Sequence, residues 1–309
     1  MTSMRAQTIS PHRSHSIPLQ RFFEIAVASA ALAALTITSA SAQTVFSGAG
    51  TTEATAQFSA FQTAIGGVDN GGGGGPRATG SRRINWDGVP VPATGPDTPI
   101  NSTTIGMAVD RFLGRGALYS EVYGLASDGF ASVSPSGGAA SFPAFTPTKT
   151  FAAFNGNEIE QNFTLAGTLT GAATRGFGAI FLDVELANTS RIEYFNGATS
   201  LGSFFVPVGG NGQASFLGVL FDSPLVTNVT LTLGNDNLFN FNNGVVTPGA
   251  AENLAGGASA TDLVVTDDFV YAEPQAVNAA APEPGTFALI GFGLLSAAGT
   301  RLRQRRCAA

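Results

Sequence analysis

The chain is 309 residues long and only 12% charged, about half the usual share, and its 39 Gly and 24 Phe favour strands and turns over helices. Between residues 43 and 281 eight basic groups face more than twice as many acidic ones, an excess that would repel nucleic acid and is compatible with neutral glycans and Ca²⁺. His12, His15 and Cys307 all lie outside that stretch, which excludes a Ser-His-Asp triad, a Cys-His dyad, His- or Cys-ligated zinc and a disulfide there.

The N-terminus reads as a signal peptide over residues 1–42. Arg5, Arg13 and Arg21 precede a mostly apolar run from Ile25 to Ile37, too short to span a bilayer well. Ala40-Ser41-Ala42 supplies the small-x-small pattern that signal peptidase accepts, so cleavage is expected between Ala42 and Gln43. Gln43 is not a cysteine, which argues against a lipoprotein.

A single short helix is expected over Thr52–Ile65. Ala54, Phe58, Phe61 and Ile65 fall on one apolar face; Thr51 or Thr52 can cap its start and Gly66-Gly67 can end it. Residues 66–84 read as a flexible Gly-rich loop, because five consecutive glycines from Gly71 to Gly75 lose much entropy on ordering. From Ile105 onward short β-branched and aromatic runs alternate with Gly, Asn, Asp and Pro. They predict strands at 117–123, 160–165, 176–186, 191–195, 201–206, 214–221, 228–233 and 262–271. Asn196-Gly197 marks a hairpin whose loop is expected to exceed two residues. The near-continuous apolar runs Phe177–Asp183 and Phe216–Asp222 read as inner strands. The expected fold is mainly β: one two-sheet, jelly-roll-like sandwich over residues 43–281.

Candidate chemistry rests on acids and one aromatic. Asp183, Glu185, Asp262, Asp267 and Asp268 lie near expected strand ends, where carboxylate oxygens suit a structural Ca²⁺. Asp183 and Glu185, two apart on a strand, would face the same side. The alternative is solvated acids, or acids paired with Arg175 and Arg191. Asp183 and Glu185 also read as the carboxylate pair of a glycan hydrolase or lyase, although no third acid alternates with them. Trp86 beside Asp87 can be a sugar-stacking platform or a core residue.

The C-terminus sets Pro282-Glu283-Pro284 before an apolar stretch over 285–300, followed by Arg301, Arg303, Arg305 and Arg306. A helix of these sixteen residues reaches about 24 Å, short of the roughly 30 Å hydrocarbon core, and the arginines would halt the helix on the cytoplasmic side. This order resembles the PEP-CTERM signal of bacteria over residues 282–309. The resemblance implies sorting by an exosortase, processing near Pro284 and only transient anchoring in the inner membrane. The segments Arg83–Gly88, Arg175–Val184 and Asp267–Tyr271 also resemble features of uncharacterised bacterial secreted proteins of this layout, which implies a shared fold and no activity. The expectation is an exported surface or extracellular-matrix protein, not an enzyme, whose sandwich binds polysaccharide or surface components. A purely structural surface protein and a carboxylate-dependent glycan hydrolase or lyase are the alternatives.

Overall fold

The computed structural model describes residues 42–89, 103–105 and 108–277. The expected signal peptide with Ala40, and the sorting segment with Pro282, Glu283, Pro284, the helix over 285–300 and the four arginines, lie outside them. Among the described residues no helix is long and apolar enough to cross a membrane.

In chain order the elements are β1 (Gln43–Ala49), α1 (Thr51–Ile65), β2 (Ser81–Ile84), β3 (Thr103–Ile105), β4 (Ala117–Tyr119), β5 (Gly124–Ala126), β6 (Thr150–Ala152), β7 (Glu158–Phe163) and β8 (Ala172–Ala173). There follow β9 (Gly176–Leu182), β10 (Arg191–Asn196), β11 (Thr199–Phe205), β12 (Ala214–Phe221), β13 (Asn228–Thr232), β14 (Phe239–Asn242), β15 (Val245–Pro248), β16 (Val265–Ala272) and β17 (Gln275–Ala276). One eight-stranded antiparallel sheet runs β1-β12-β9-β16-β6-β5-β3, with β2 also paired to β16; a five-stranded sheet runs β11-β10-β13-β7-β4. The chain passes repeatedly from one sheet to the other, and both contribute to one aromatic core. The expected mainly β sandwich is the fold observed.

The two sheets show different sequence patterns for a physical reason. In the five-stranded sheet Ile159, Ile192, Tyr194, Val229 and Leu231 are buried, whereas Glu158, Glu160, Arg191, Glu193 and Thr230 alternate with them on the wet face. β9 and β12 are apolar almost throughout because both their faces are covered. Phe177, Phe181, Leu217 and Val219 face the other sheet, while Ile180, Leu182, Ala214 and Phe216 face α1. Glycine lets the helix come close. Gly178 and Gly218 are cross-strand partners, and a Cβ on Gly178 would lie 2.7 Å from the Phe216 ring. Above this dip Phe58 and Phe61 pack on Phe216 with ring centroids 5.6 and 5.7 Å apart.

Ala54, Phe58, Phe61 and Ile65 are the buried face of α1, and Gly66 ends it at φ 137°. The start is corrected. Gly50 is the cap residue, and the Thr51 hydroxyl instead donates to Gln213 Oε1 and accepts from Ala214 N–H, tying the helix to β12. The expected strand 117–123 is shortened: β4 ends at Tyr119, residues 120–123 leave the sheet, and β5 begins beyond them at Gly124 in the other sheet. β9 stops at Leu182 because Asp183 takes φ 73°. The β10–β11 hairpin has a tight loop, since Asn196 pairs with Thr199 and only Gly197 and Ala198 lie between. Gly197 supplies positive φ at the first central position.

The Gly-rich loop is the largest correction. Its end forms β2, paired with β16. The Arg82 guanidinium donates to the carbonyls of Gly71 and Gly75 and is ion-paired with Glu273. The glycine run therefore wraps a buried cation, and the ordering entropy is offset by charge-assisted hydrogen bonds.

Candidate functional site

Trp86 is 1% exposed, so it offers no face to a sugar. Its ring stacks on Phe151 at 3.8 Å, meets Phe112 and Phe269 edge-on, and donates Nε1–H to the Asp267 carbonyl at 3.0 Å. The stacking-platform reading is thereby overturned: Trp86 is a core residue between the sheets. Asp87 is committed to the fold as well. Its carboxylate accepts from the Thr148 and Lys149 backbone N–H groups and from Asn85 Nδ2, pinning the loop before β6.

Asp267 and Asp268 form a bulge in β16, where Thr266 pairs with Phe181 and Phe269 with Ala179. Asp268 is paired with Arg83 at 2.7 Å. Asp267 Oδ2 accepts from Phe145 N–H at 2.6 Å and Thr146 N–H at 3.1 Å. Burial, and then the neighbouring Asp268, push the Asp267 carboxyl up to about 9. Neither acid joins Asp183 and Glu185, so the expected set of four ligands is divided in two.

Asp183 and Glu185 do converge, though not by strand alternation. The turn at Asp183 takes the chain out of the sheet, and Glu252, from the loop between β15 and β16, completes the group. One carboxylate oxygen from each of the three lies within 4.8 Å of the others. Asp183 Oδ1 accepts from Gly212 N–H at 2.5 Å. Among the described residues Asp183 Oδ2, Glu185 Oε2 and Glu252 Oε1 are buried without a hydrogen-bond partner. Asp262 orients the turn from behind, accepting from Leu186 N–H at 3.1 Å and Thr189 Oγ1 at 2.6 Å. Burial, with the charges of Glu252 and Asp262, pushes Asp183 up to about 7. Burial, with the charge of Asp183, pushes Glu185 up to about 7 as well. Burial raises Glu252. No sequence pattern pointed to Glu252, which lies in the irregular stretch after β15, far along the chain.

A separate cleft of about 490 Å³ opens beside the wet face of the five-stranded sheet. Ser120–Tyr123, between β4 and β5, form one wall; Phe154–Asn157, between β6 and β7, form another; Glu158, Glu160 and Thr230 form the floor. Tyr123 is fixed by its hydroxyl, which accepts from Glu160 N–H at 2.8 Å, and Phe154 by stacking on Phe239 at 5.5 Å. Asn155 is committed to the Phe241 backbone through both ends of its amide. The side chains of Glu121, Glu160 and Thr230 make no hydrogen bond among the described residues, and those of Glu121 and Glu160 are partly or fully exposed. The floor acids come from the polar half of the alternation, so their outward direction was legible; the cleft was not, because both walls are loops.

Residues 280–306 match the family described as the PEP-CTERM protein-sorting motif. The chain thus carries an exosortase-type sorting signal, which supports export and sorting as its C-terminal pattern implied. No curated protein and no solved structure matches the chain.

Proposed function

We propose that this is a cell-surface or extracellular-matrix protein whose sandwich holds polysaccharide, or a surface component of the same hydroxyl-rich chemistry, in the cleft beside Glu121 and Glu160. The cleft carries this reading. Its acids present acceptor oxygens to sugar hydroxyls, and hydrogen bonds to an ionised acceptor are the stronger kind. Phe154, half-buried, and Val122, 44% exposed, supply apolar surface for a pyranose face. The acidic balance of residues 43–281 suits a neutral glycan better than a polyanion.

The exported protein, purified from producing cells, is expected to be retained on a column of those cells' own extracellular polysaccharide. Two charge-assisted hydrogen bonds of about 1.5–3 kcal/mol each are at stake. The double variant Glu121→Gln, Glu160→Gln is therefore expected to bind at least about tenfold more weakly. Wild-type protein that elutes unretarded would overturn the reading in favour of a purely structural surface role.

Delivery is part of the same proposal. Signal peptidase cuts after Ala42; the C-terminal helix holds the chain briefly in the inner membrane; exosortase then processes it near Pro284. β1 starts at Gln43, paired with Phe221, so the first strand would begin at the first residue after the cut. The mass of the exported protein should start at Gln43 and lack Arg301 to Arg306. A mass extending through Arg306 would sink the processing step.

A further inference from the structure

We infer that Asp183, Glu185 and Glu252 form a divalent-cation site of Ca²⁺ type, which clasps the loop between β15 and β16 to the end of β9. This rests on the carboxylate geometry alone and is independent of the polysaccharide reading. Oxygens bound to one Ca²⁺ lie about 2.3–2.6 Å from it, so any two of them are at most about 5 Å apart. The three carboxylate oxygens, all within 4.8 Å of one another, fit on one such shell. Proximity of acids does not make a site, and the second observation is Asp183 itself. The residue is 0% exposed, and its Oδ2 has no hydrogen-bond partner among the described residues. Its Oδ1 is held by Gly212 N–H, which fixes the carboxylate and leaves Oδ2 as the buried oxygen without a partner beside two further acids.

A buried carboxylate oxygen without a partner is costly to leave so, and two further carboxylates beside it make that worse. A cation removes both penalties. Among the described residues no Arg or Lys forms an ion pair with Asp183, Glu185 or Glu252. The all-oxygen set selects a hard ion, and water completes the six to eight ligands that Ca²⁺ takes. Asp262 is a positioning residue: it holds the backbone of Glu185 and Leu186 rather than the ion. Glu252 is itself fixed by its backbone N–H, which donates to Ser136 Oγ at 3.0 Å. The site thus joins two segments that are far apart in sequence.

The test is calorimetric titration of Ca²⁺ into the exported protein after chelator treatment, with limited proteolysis in parallel. The expected result is one ion per chain with a dissociation constant of about 10⁻⁴–10⁻³ M, the range of extracellular modules. Bound ion should protect the 249–261 loop from cleavage. Glu252→Gln should weaken binding at least about tenfold, and Asp183→Asn should do the same. Should Asp183→Asn fail to fold, Glu252→Gln and Glu185→Gln carry the test, because each alters an oxygen that has no partner to lose. Absence of saturable heat up to about 10 mM, well above that range, would overturn the site. Wild-type affinity in Glu252→Gln would overturn it equally.

Discussion

Replacing Arg82 by alanine is expected to destabilise the domain by about 3–5 kcal/mol, the usual result of leaving one partner of a buried ion pair uncompensated. The Arg82 and Glu273 side chains are 0% and 1% exposed. Arg82 Nε and Nη2 meet the two oxygens of Glu273 at 2.5 and 2.7 Å, a bidentate pairing. Glu273 also accepts from Arg77 N–H at 2.9 Å and Asn70 Nδ2 at 2.8 Å. Alanine at 82 would strand that carboxylate and leave the carbonyls of Gly71 and Gly75 without their donor. Against a usual total of about 5–15 kcal/mol, the loss is a large fraction of the whole. Guanidinium denaturation measures it directly. The double variant Arg82→Met, Glu273→Leu should recover part of the loss, because the charge penalty disappears while the glycine carbonyls stay unsatisfied. A loss below about 1 kcal/mol for Arg82→Ala would mean that the pair behaves as a solvated one.

The same pair explains why β2 was not legible. A glycine run followed by Ser-Arg-Arg-Ile reads as a loop ending in a charged segment, and nothing local reveals that Arg82 has a partner in Glu273. The parts that could be read were those where packing follows a short period. The α1 stripe of Ala54, Phe58, Phe61 and Ile65 is one, and the bounds of β12 are another. β9 and β12 were read as inner strands because a layer covered on both faces has no polar half. Other features depended on single backbone choices. Trp86 and Asp183 adopt φ 64° and 73°, which a sequence pattern does not disclose. At Asp183 that turn ends the strand, so the acid pair comes together through the turn rather than through alternation. Asp267 and Asp268 look like the same kind of strand-end acids. The β16 bulge sends one to Arg83 and the other under the loop at Phe145.

Asp267 is the place where this fold should respond most to pH. Its carboxyl is raised from 3.8 to about 9 by burial first and by Asp268 second, with Asp87 adding in the same direction. The facing cation, Arg83, is bound to Asp268. The Phe145 and Thr146 N–H groups, which favour the ionised form, do not outweigh burial. The folded protein therefore holds a proton on Asp267 that the unfolded chain releases once pH passes about 4. Stability from this group is full below the unfolded value and falls as pH rises towards the folded one. The slope is about 1.4 kcal/mol per pH unit, which amounts to an order of 4 kcal/mol by pH 7. Asp267→Asn keeps an oxygen for the two N–H donors, sets an amide where the protonated oxygen was, and has no proton to lose. The variant is expected to match wild type near pH 4 and to exceed it increasingly towards pH 9. Thermal unfolding of both proteins across that range tests this, and the difference between them isolates Asp267 from Asp183, Glu185 and Glu252, whose raised values tilt both curves alike. A difference that stays flat with pH would mean that Asp267 is ionised in the folded state, with water or a cation reaching the bulge.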